Sequence, residues 1–235
     1  MFKTLPTFFG PLVSIETDIK IGQQILQQGH WEFQDVLQIL WFYEKYFSKR
    51  QGHMLDIGCN IGSWTLPLAQ RYPENKIIAF DCQAEIVSCV EQTIKLNRLN
   101  NAQTQHCAVS DLCTRTCYNK IDYKCEANFG AYEFERPYAN SDFNGMTTPD
   151  IDTISVLTVD SLNLDQVVFM KLDIEGMEYK ALKGAINTIT ACQPFVTFEH
   201  HKTDRVGVEN LLENLGYRIL SETIGQMSMA VPDSN

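Results

Sequence analysis

The strongest chemical signal in the chain is the stretch Leu55-Asp56-Ile57-Gly58-Cys59-Asn60-Ile61-Gly62. It follows an apolar run and precedes a helical pattern. Gly58 permits a tight turn, and Gly62 removes a side chain where backbone and ligand must approach. The helix predicted from Ser63 would aim its free amides and the positive end of its dipole at whatever lies there. Pro67 falls near that first turn, where its missing donor costs little. About twenty residues further on, Asp81 closes a second apolar run, and a carboxylate so placed can accept both hydroxyls of a ribose. Together these residues describe a nucleoside-bearing ligand lying across strand ends.

The type of nucleoside follows from charge. A dinucleotide fingerprint reads GxGxxG and gives a pyrophosphate two close backbone approaches. Here the two glycines lie four apart with Asn60 between them, Asp56 precedes the turn, and no basic residue occurs from Leu55 to Gln70. S-adenosyl-L-methionine fits better: it has no phosphate, a ribose for Asp81, one carboxylate for the helix start, and sulfonium and ammonium cations that favour nearby carboxylates.

A third constellation, Lys171-Leu172-Asp173-Ile174-Glu175-Gly176-Met177-Glu178, stands at the end of another apolar run. Open α/β sheets bind ligands on that edge. Acidic residues are also ordinary in first helical turns; Asp173, at the strand tip, is the functional choice because it would face the same crevice as Gly58 and Asp81. The next strand end carries Phe198-Glu199-His200-His201. A histidine there can act as a base, bind a metal or simply solvate a loop. Asp173, Glu175 and Glu199 offer the oxygens that Mg²⁺ takes, but the sequence does not show them converging, and no metal is assigned. Tyr179 and Lys183 form the YxxxK pair of nicotinamide-dependent reductases, yet Tyr72 and Lys76 repeat the pattern across a proline, so it arises easily by chance.

These residues need a scaffold, and the hydropathy pattern supplies one. Phe33, Val36, Leu37, Leu40, Tyr43 and Phe47 recur at helical spacing and predict a helix ending before Gln51-Gly52. Apolar runs at 53–57, 76–80, 104–109, 167–172 and 195–198 are mostly non-alternating, as strands buried on both faces are. Helical patterns at 63–71, 84–99, 176–189 and 206–215 lie among them, the last with Gly216 at its left-handed cap. This alternation predicts an α/β fold, a mostly parallel sheet with helices on both faces. Residues 217–220 and 227–231, parted by Gly225, predict a closing hairpin, while residues 11–30 give no clear element. Residues 110–163 lack helical period and carry turn signals at Asn128, Gly130, Pro137, Asn144-Gly145 and Pro149-Asp150. That length suits a functional insertion rather than a passive loop, with strands expected at 129–134 and 154–159. The expected organisation is an N-terminal extension, 1–50, packed on a ligand-binding domain, 51–235.

Composition narrows the rest. The 235 residues are 44% hydrophobic and 20% charged, enough to bury the core of one domain. With 19 Lys+Arg against 29 Asp+Glu the net charge is −10, which repels phosphate backbones and argues against a nucleic-acid partner. No apolar run reaches membrane-spanning length, and residues 1–10 show no signal-peptide pattern. Eight cysteines form no CxxC pair, so reduced thiols and a cytoplasmic location are expected.

The chain resembles the FkbM-type S-adenosylmethionine-dependent methyltransferases. The motifs that carry the resemblance are Asp56 to Gly62, Ala79-Phe80-Asp81, Leu96-Asn97, Ala108-Val109-Ser110, Thr158 to Leu162, Lys171 to Glu178 and Gly184-Ala185. The likeness runs from about Gly29 to Glu199. It implies a class I methyltransferase fold, with a seven-stranded Rossmann-like sheet containing one antiparallel strand, and O-methylation of a hydroxyl on a sugar, glycan or small-molecule metabolite. Family members often have Ala at Cys59 and Glu-Pro at Asp81-Cys82; Asp81 can still grip a ribose. On this basis Asp56, Gly58, Asn60, Gly62, Asp81, Cys82, Ala108, Val109 and Asp173 are the expected donor-binding residues. Asp173, Glu175, Glu199 and His200 are the candidate catalytic ones, with His200 preferred to Glu199 as base because imidazole titrates near pH 6.5. The alternatives are a nicotinamide-dependent oxidoreductase and an inactive cofactor-binding module. Acceptor identity and oligomeric state are not legible.

Overall fold

The computed structural model describes residues 1–47, 50–135 and 147–233. Its centre is a seven-stranded sheet. In chain order the strands and helices are β1 (Phe2–Leu5), β2 (Leu12–Ile15), α1 (Ile21–Gln28), α2 (Phe33–Phe47), β3 (His53–Ile57), α3 (Thr65–Arg71), β4 (Lys76–Asp81), α4 (Ala84–Leu96), β5 (Ala102–His106), β6 (Ala108–Val109), β7 (Thr114–Ile121), β8 (Thr147–Leu157), β9 (Val167–Leu172), α5 (Glu178–Lys183), α6 (Ile186–Cys192), β10 (Phe195–Glu199), α7 (Arg205–Asn214), β11 (Tyr217–Ile219) and β12 (Met227–Pro232). The sheet order is β11-β12-β10-β9-β3-β4-β5. Only β12 is reversed, pairing antiparallel with both β10 and β11. This is the class I methyltransferase architecture.

Successive side chains of a strand face opposite sides, so each central strand feeds two cores. Leu55, Ile57, Met170, Leu172, Val196 and Phe198 pack under α5, α6 and α7. Met54, Phe169 and Phe195 face the other way, against α2 and α3. There Phe169 and Phe195 stack at 5.7 Å, and Tyr43 of α2 meets each edge-on at 5.4 and 5.9 Å.

The expected strand at 104–109 is two strands in two sheets. β5 ends at His106, the Cys107 amide bonds the Asp81 carbonyl at 3.1 Å, and β6 then joins β8 and β7 in a three-stranded sheet. β5 is also half-exposed, because it is a sheet edge. The helix expected over 176–189 is two helices. The Gly184 carbonyl accepts from Asp160 N at 2.9 Å, a Cβ on Gly184 would overlap the Ser110 carbonyl, and the Asp160 carboxylate caps α6 through the amides of Asn187 and Thr188 at 3.1 and 2.8 Å.

The run at 129–134, expected as a strand, contains a 3₁₀ turn, Phe129–Ala131. Its backbone is spent elsewhere: Gln83 Nε2 donates to the Phe129 carbonyl at 2.9 Å. Residues 154–157 belong to β8, and β7, unforeseen, pairs with it antiparallel. The turn signals at Pro137 and Asn144-Gly145 lie outside the described residues.

Residues 11–30, which gave no clear pattern, hold β2 and α1. β2 pairs with β1 as a hairpin and lies on α4, where Thr93 Oγ1 accepts from Val13 N at 2.9 Å. Hairpin, α1 and the 3₁₀ turn share an apolar cluster that includes Leu12, Ile21, Ile61, Ile86 and Phe129. The N-terminal segment therefore reaches the strand ends where the glycine turn sits. Among the described residues no helix is long and apolar enough to cross a membrane. All eight cysteines are free.

Candidate functional site

Sheet register builds the site. Ile57 pairs with Phe80 on one side and Leu172 on the other, and Leu172 pairs with Phe198. The residues that follow these four, Gly58, Asp81, Asp173 and Glu199, therefore stand side by side at neighbouring strand ends. All four line one cavity of about 560 Å³.

The glycine turn is held by bonds from its own amides to the second strand end. The amides of Gly58 and Cys59 both donate to the Phe80 carbonyl at 2.9 Å. Asn60 N donates to Asp81 Oδ2 at 3.1 Å, and Gln83 N to Asp81 Oδ1 at 2.9 Å. Gly58 has φ +81°, and a Cβ there would overlap the Asp173 carbonyl. Glycine is thus required both by the backbone and by the neighbouring strand end. Asn60, Glu32 and Glu175 also line the cavity with φ of +47°, +52° and +56°. Non-glycine residues in this region carry strain, which concentrates at ligand sites.

Burial pushes the Asp81 carboxyl up to about 6, against the lowering effect of its two amide bonds. Burial also raises Glu32 and Glu175 to about 7 each and Glu199 to about 8, with Asp173, Glu178 and Glu175 adding repulsion at Glu199. Burial lifts the thiol of Cys82 well above its ordinary range and that of Cys107 to about 12, so beside Ala108 and Val109 they make a neutral, apolar wall. A cavity whose carboxyls are held up by burial and mutual repulsion favours a cation. An apolar wall, a glycine turn and a buried carboxylate around one cavity suit a ligand that, like S-adenosylmethionine, carries a flat base, a ribose and a positive charge.

Of the residues expected from sequence, Gly58, Asn60, Asp81, Cys82, Ala108, Val109, Asp173, Glu175 and Glu199 line the cavity. Asp56, Gly62 and His200 are not among the lining residues. Asp56 is fully buried beneath the turn, accepting from Thr65 Oγ1 at 2.6 Å. Gly62 has φ +93°, and a Cβ added there would make ordinary van der Waals contact with Val90 at 3.6 Å. His200 Nδ1 lies 3.1 Å from Ser228 Oγ on β12, and burial, with Arg205 and His201, lowers its pKa. Its neighbours Glu199, His201 and Lys202 line the cavity instead. Tyr179 packs against the core, and Lys183 pairs with Asp111 at 3.0 Å; neither lines the cavity. Among the described residues no three Asp, Glu, His or Cys side chains converge to hold a metal ion.

Sequence reasoning missed the far wall. Lys20, Trp31, Glu32 and Asp35 come from the N-terminal segment, and Asn128, Gly130, Ala131, Tyr132 and Phe134 from the insertion. Residues 123–135 of the insertion are tied down at several points. Ala127 N donates to Thr17 O and its carbonyl accepts from Ile19 N; Tyr123 OH donates to Gln83 Oε1 at 3.2 Å; Glu133 lies 3.5 Å from Lys202, which also bonds Glu175; and Glu135 accepts from Lys180 at 2.6 Å. The one available signal was Glu32 and Asp35 opening the helical period of α2, which reads equally as ordinary helix capping.

The chain is similar to known methyltransferases. The family model for the methyltransferase FkbM domain matches residues 56–219. Methyltransferase 1 of Beauveria bassiana (strain ARSEF 2860) is 23% identical over 182 residues, covering 72% of this chain and 73% of the relative. Among solved structures, methyltransferase FkbM from Methylobacillus flagellatus KT is similar with a TM-score of 0.52 at 16% identity, over 80% of this chain. This chain spans 46% of that protein's length. Magnesium protoporphyrin IX methyltransferase from Synechocystis PCC 6803, with bound SAM, gives a TM-score of 0.48 at 12% identity, covering 91% of this chain and 84% of that one.

Proposed function

Because this chain belongs to the methyltransferase FkbM domain family, we propose that it is an S-adenosyl-L-methionine-dependent O-methyltransferase acting on a hydroxyl of a sugar, glycan or small-molecule metabolite. The observation that carries this reading is the row Asp81, Gly58, Asp173 and Glu199, standing at adjacent strand ends around one acid-lined cavity. The family sets the oxidoreductase alternative aside. The net charge of −10 argues against a nucleic-acid acceptor.

When bound, S-adenosylmethionine supplies a methyl group on a positively charged sulfur, open to in-line attack. The chain's own residues do the rest. Asp81 accepts the ribose hydroxyls while keeping the Asn60 amide in place. Cys82, Ala108 and Val109 face the adenine, and Asp173 faces the cationic end. Glu199 takes the proton from the acceptor hydroxyl as it attacks. Such a base is worth roughly 10²–10⁴-fold, and positioning of the reactants up to about 7–11 kcal/mol. Glu199 replaces His200 as the preferred base because it lines the cavity and titrates near 8. Positive charge beside it would lower that value and enlarge the basic fraction at neutral pH.

Incubation with the donor and a panel of hydroxylated sugars and metabolites, followed by mass spectrometry, tests the reading. S-adenosylhomocysteine should form together with an O-methylated product. Methylation confined to amine or thiol acceptors would overturn O-transfer.

A further inference from the structure

Lys171 interrupts the apolar strand β9 between Met170 and Leu172, and its side chain is 2% exposed. Among the described residues it is the only Lys or Arg that is buried. Burial works against the charge, but Asp173, Asp56 and Glu32 outweigh it and hold the ammonium above the ordinary lysine range. Buried ion pairs are poor evidence of stability, since apolar residues of similar volume often serve as well. A reason beyond stability is in the contacts. Lys171 Nζ donates to the Gly58 carbonyl at 2.6 Å, and lies 3.3 Å from Asp56 Oδ1 and 3.5 Å from Asp173 Oδ2. Neutralising Asp56 would need only the second of these.

We propose that Lys171 is a positioning residue for the donor site, drawing the Gly58 carbonyl inward and anchoring Asp173 from behind. The inference rests on the S-adenosylmethionine reading above. Gly58 and Cys59 fix their amides on the Phe80 carbonyl, and Asn60 fixes its amide on Asp81. The Gly58 carbonyl shares its planar peptide with the Cys59 amide, so Lys171 on the carbonyl side and Phe80 on the amide side hold that peptide from both ends. With the ammonium in place that oxygen points into the protein, away from the carboxylate end of a donor. The same ammonium fixes the carboxylate that faces the donor's positive end. One buried charge thus sets the orientation of both groups.

Two variants separate positioning from charge compensation, with donor affinity read by calorimetry and folding by thermal midpoint. Lys171→Met should lower the midpoint, because Asp56 loses its partner, and weaken S-adenosylmethionine at least tenfold. Lys171→Met combined with Asp56→Asn removes the fully buried pair together, so that Asp56 is no longer an unpaired charge, with Asp56→Asn alone as the baseline. The double variant should recover most of the midpoint yet stay at least tenfold weaker than that baseline. Recovery of both would overturn the proposal and leave Lys171 a counter-charge for Asp56. Should neither Met variant fold, Lys171→Arg decides: a folded protein with weakened donor binding supports positioning, and unchanged binding, or failure of this variant to fold as well, overturns it. A wild-type protein that binds no S-adenosylmethionine overturns the functional reading, and this inference falls with it.

Discussion

Replacing Asp81 with Asn should separate stability from donor binding. The carboxyl is raised from 3.8 to about 6 by burial, so keeping it ionised at neutral pH costs the fold about 3 kcal/mol. The sign is that of a raised acid: its contribution favours the folded state below pH 4 and is lost as pH climbs through 6. Asn removes that cost. It also replaces one acceptor oxygen with an NH₂ group, so one of the bonds from Asn60 N and Gln83 N is lost and leaves a buried amide unsatisfied, at about 1–3 kcal/mol. The two changes nearly cancel, and the thermal midpoint of the free protein should stay within a few degrees of wild type. Donor affinity has no such compensation. A ribose hydroxyl loses a charged acceptor worth a similar 1.5–3 kcal/mol, so S-adenosylmethionine should bind roughly 10–100-fold more weakly. Calorimetry and thermal unfolding on the same preparation read both quantities. Unchanged affinity would show that the ribose lies elsewhere. A large drop in midpoint matching the loss of affinity would show that Asp81 only braces the turn.

The two glycines of the turn should behave differently. Gly58→Ala combines a left-handed φ of +81° with overlap of the Asp173 carbonyl, and should abolish donor binding in whatever protein folds. Gly62→Ala has only the strain of φ +93°, since Val90 is 3.6 Å away, and should cost about 1–2 kcal/mol of stability with binding retained; denaturant titration checks both. Turnover should rise with pH as Glu199 ionises, along a limb lying below the value of about 8 that the carboxyl has in the free protein, because the bound donor's positive charge lowers it, and Glu199→Gln should remove that limb and most of the activity. His200→Ala, outside the cavity, should keep at least half of wild-type turnover. Because Glu32, Glu175 and Glu199 sit at about 7, 7 and 8, a bound cation should lower all three and release protons near pH 7; calorimetry in buffers of different ionisation enthalpy would detect this, and zero release would contradict a cationic ligand.

Strand tips were legible in the sequence because buried parallel strands are short, apolar and bounded by the very residues that meet the ligand. Asp56-Ile57-Gly58, Phe80-Asp81 and Leu172-Asp173 each marked a strand end from hydropathy alone, and register then aligned them. Features that depend on contacts between distant segments stayed hidden. The break at Gly184 exists because the Ser110 and Asp160 backbones press there, and no local pattern encodes that approach. Residues 129–134 read as a strand since their types suit one, but Gln83, just ahead of α4, takes the Phe129 carbonyl. The cavity's far wall comes from the two ends of α1, the start of α2 and the insertion, and α1, at eight residues, is too short to show a clear period. His200 and Glu199 differ by one position, and strand alternation sends one toward β12 and the other to the cavity. The sequence located that pair; the pleat chose between them.

The most direct test is a crystal structure with S-adenosylhomocysteine soaked in at saturating concentration. The account predicts ribose hydroxyls on the Asp81 carboxylate, the adenine against Cys82, Ala108 and Val109, and the sulfur beside Asp173. A ligand found elsewhere on the molecule, or a cavity still empty at saturation, would contradict it.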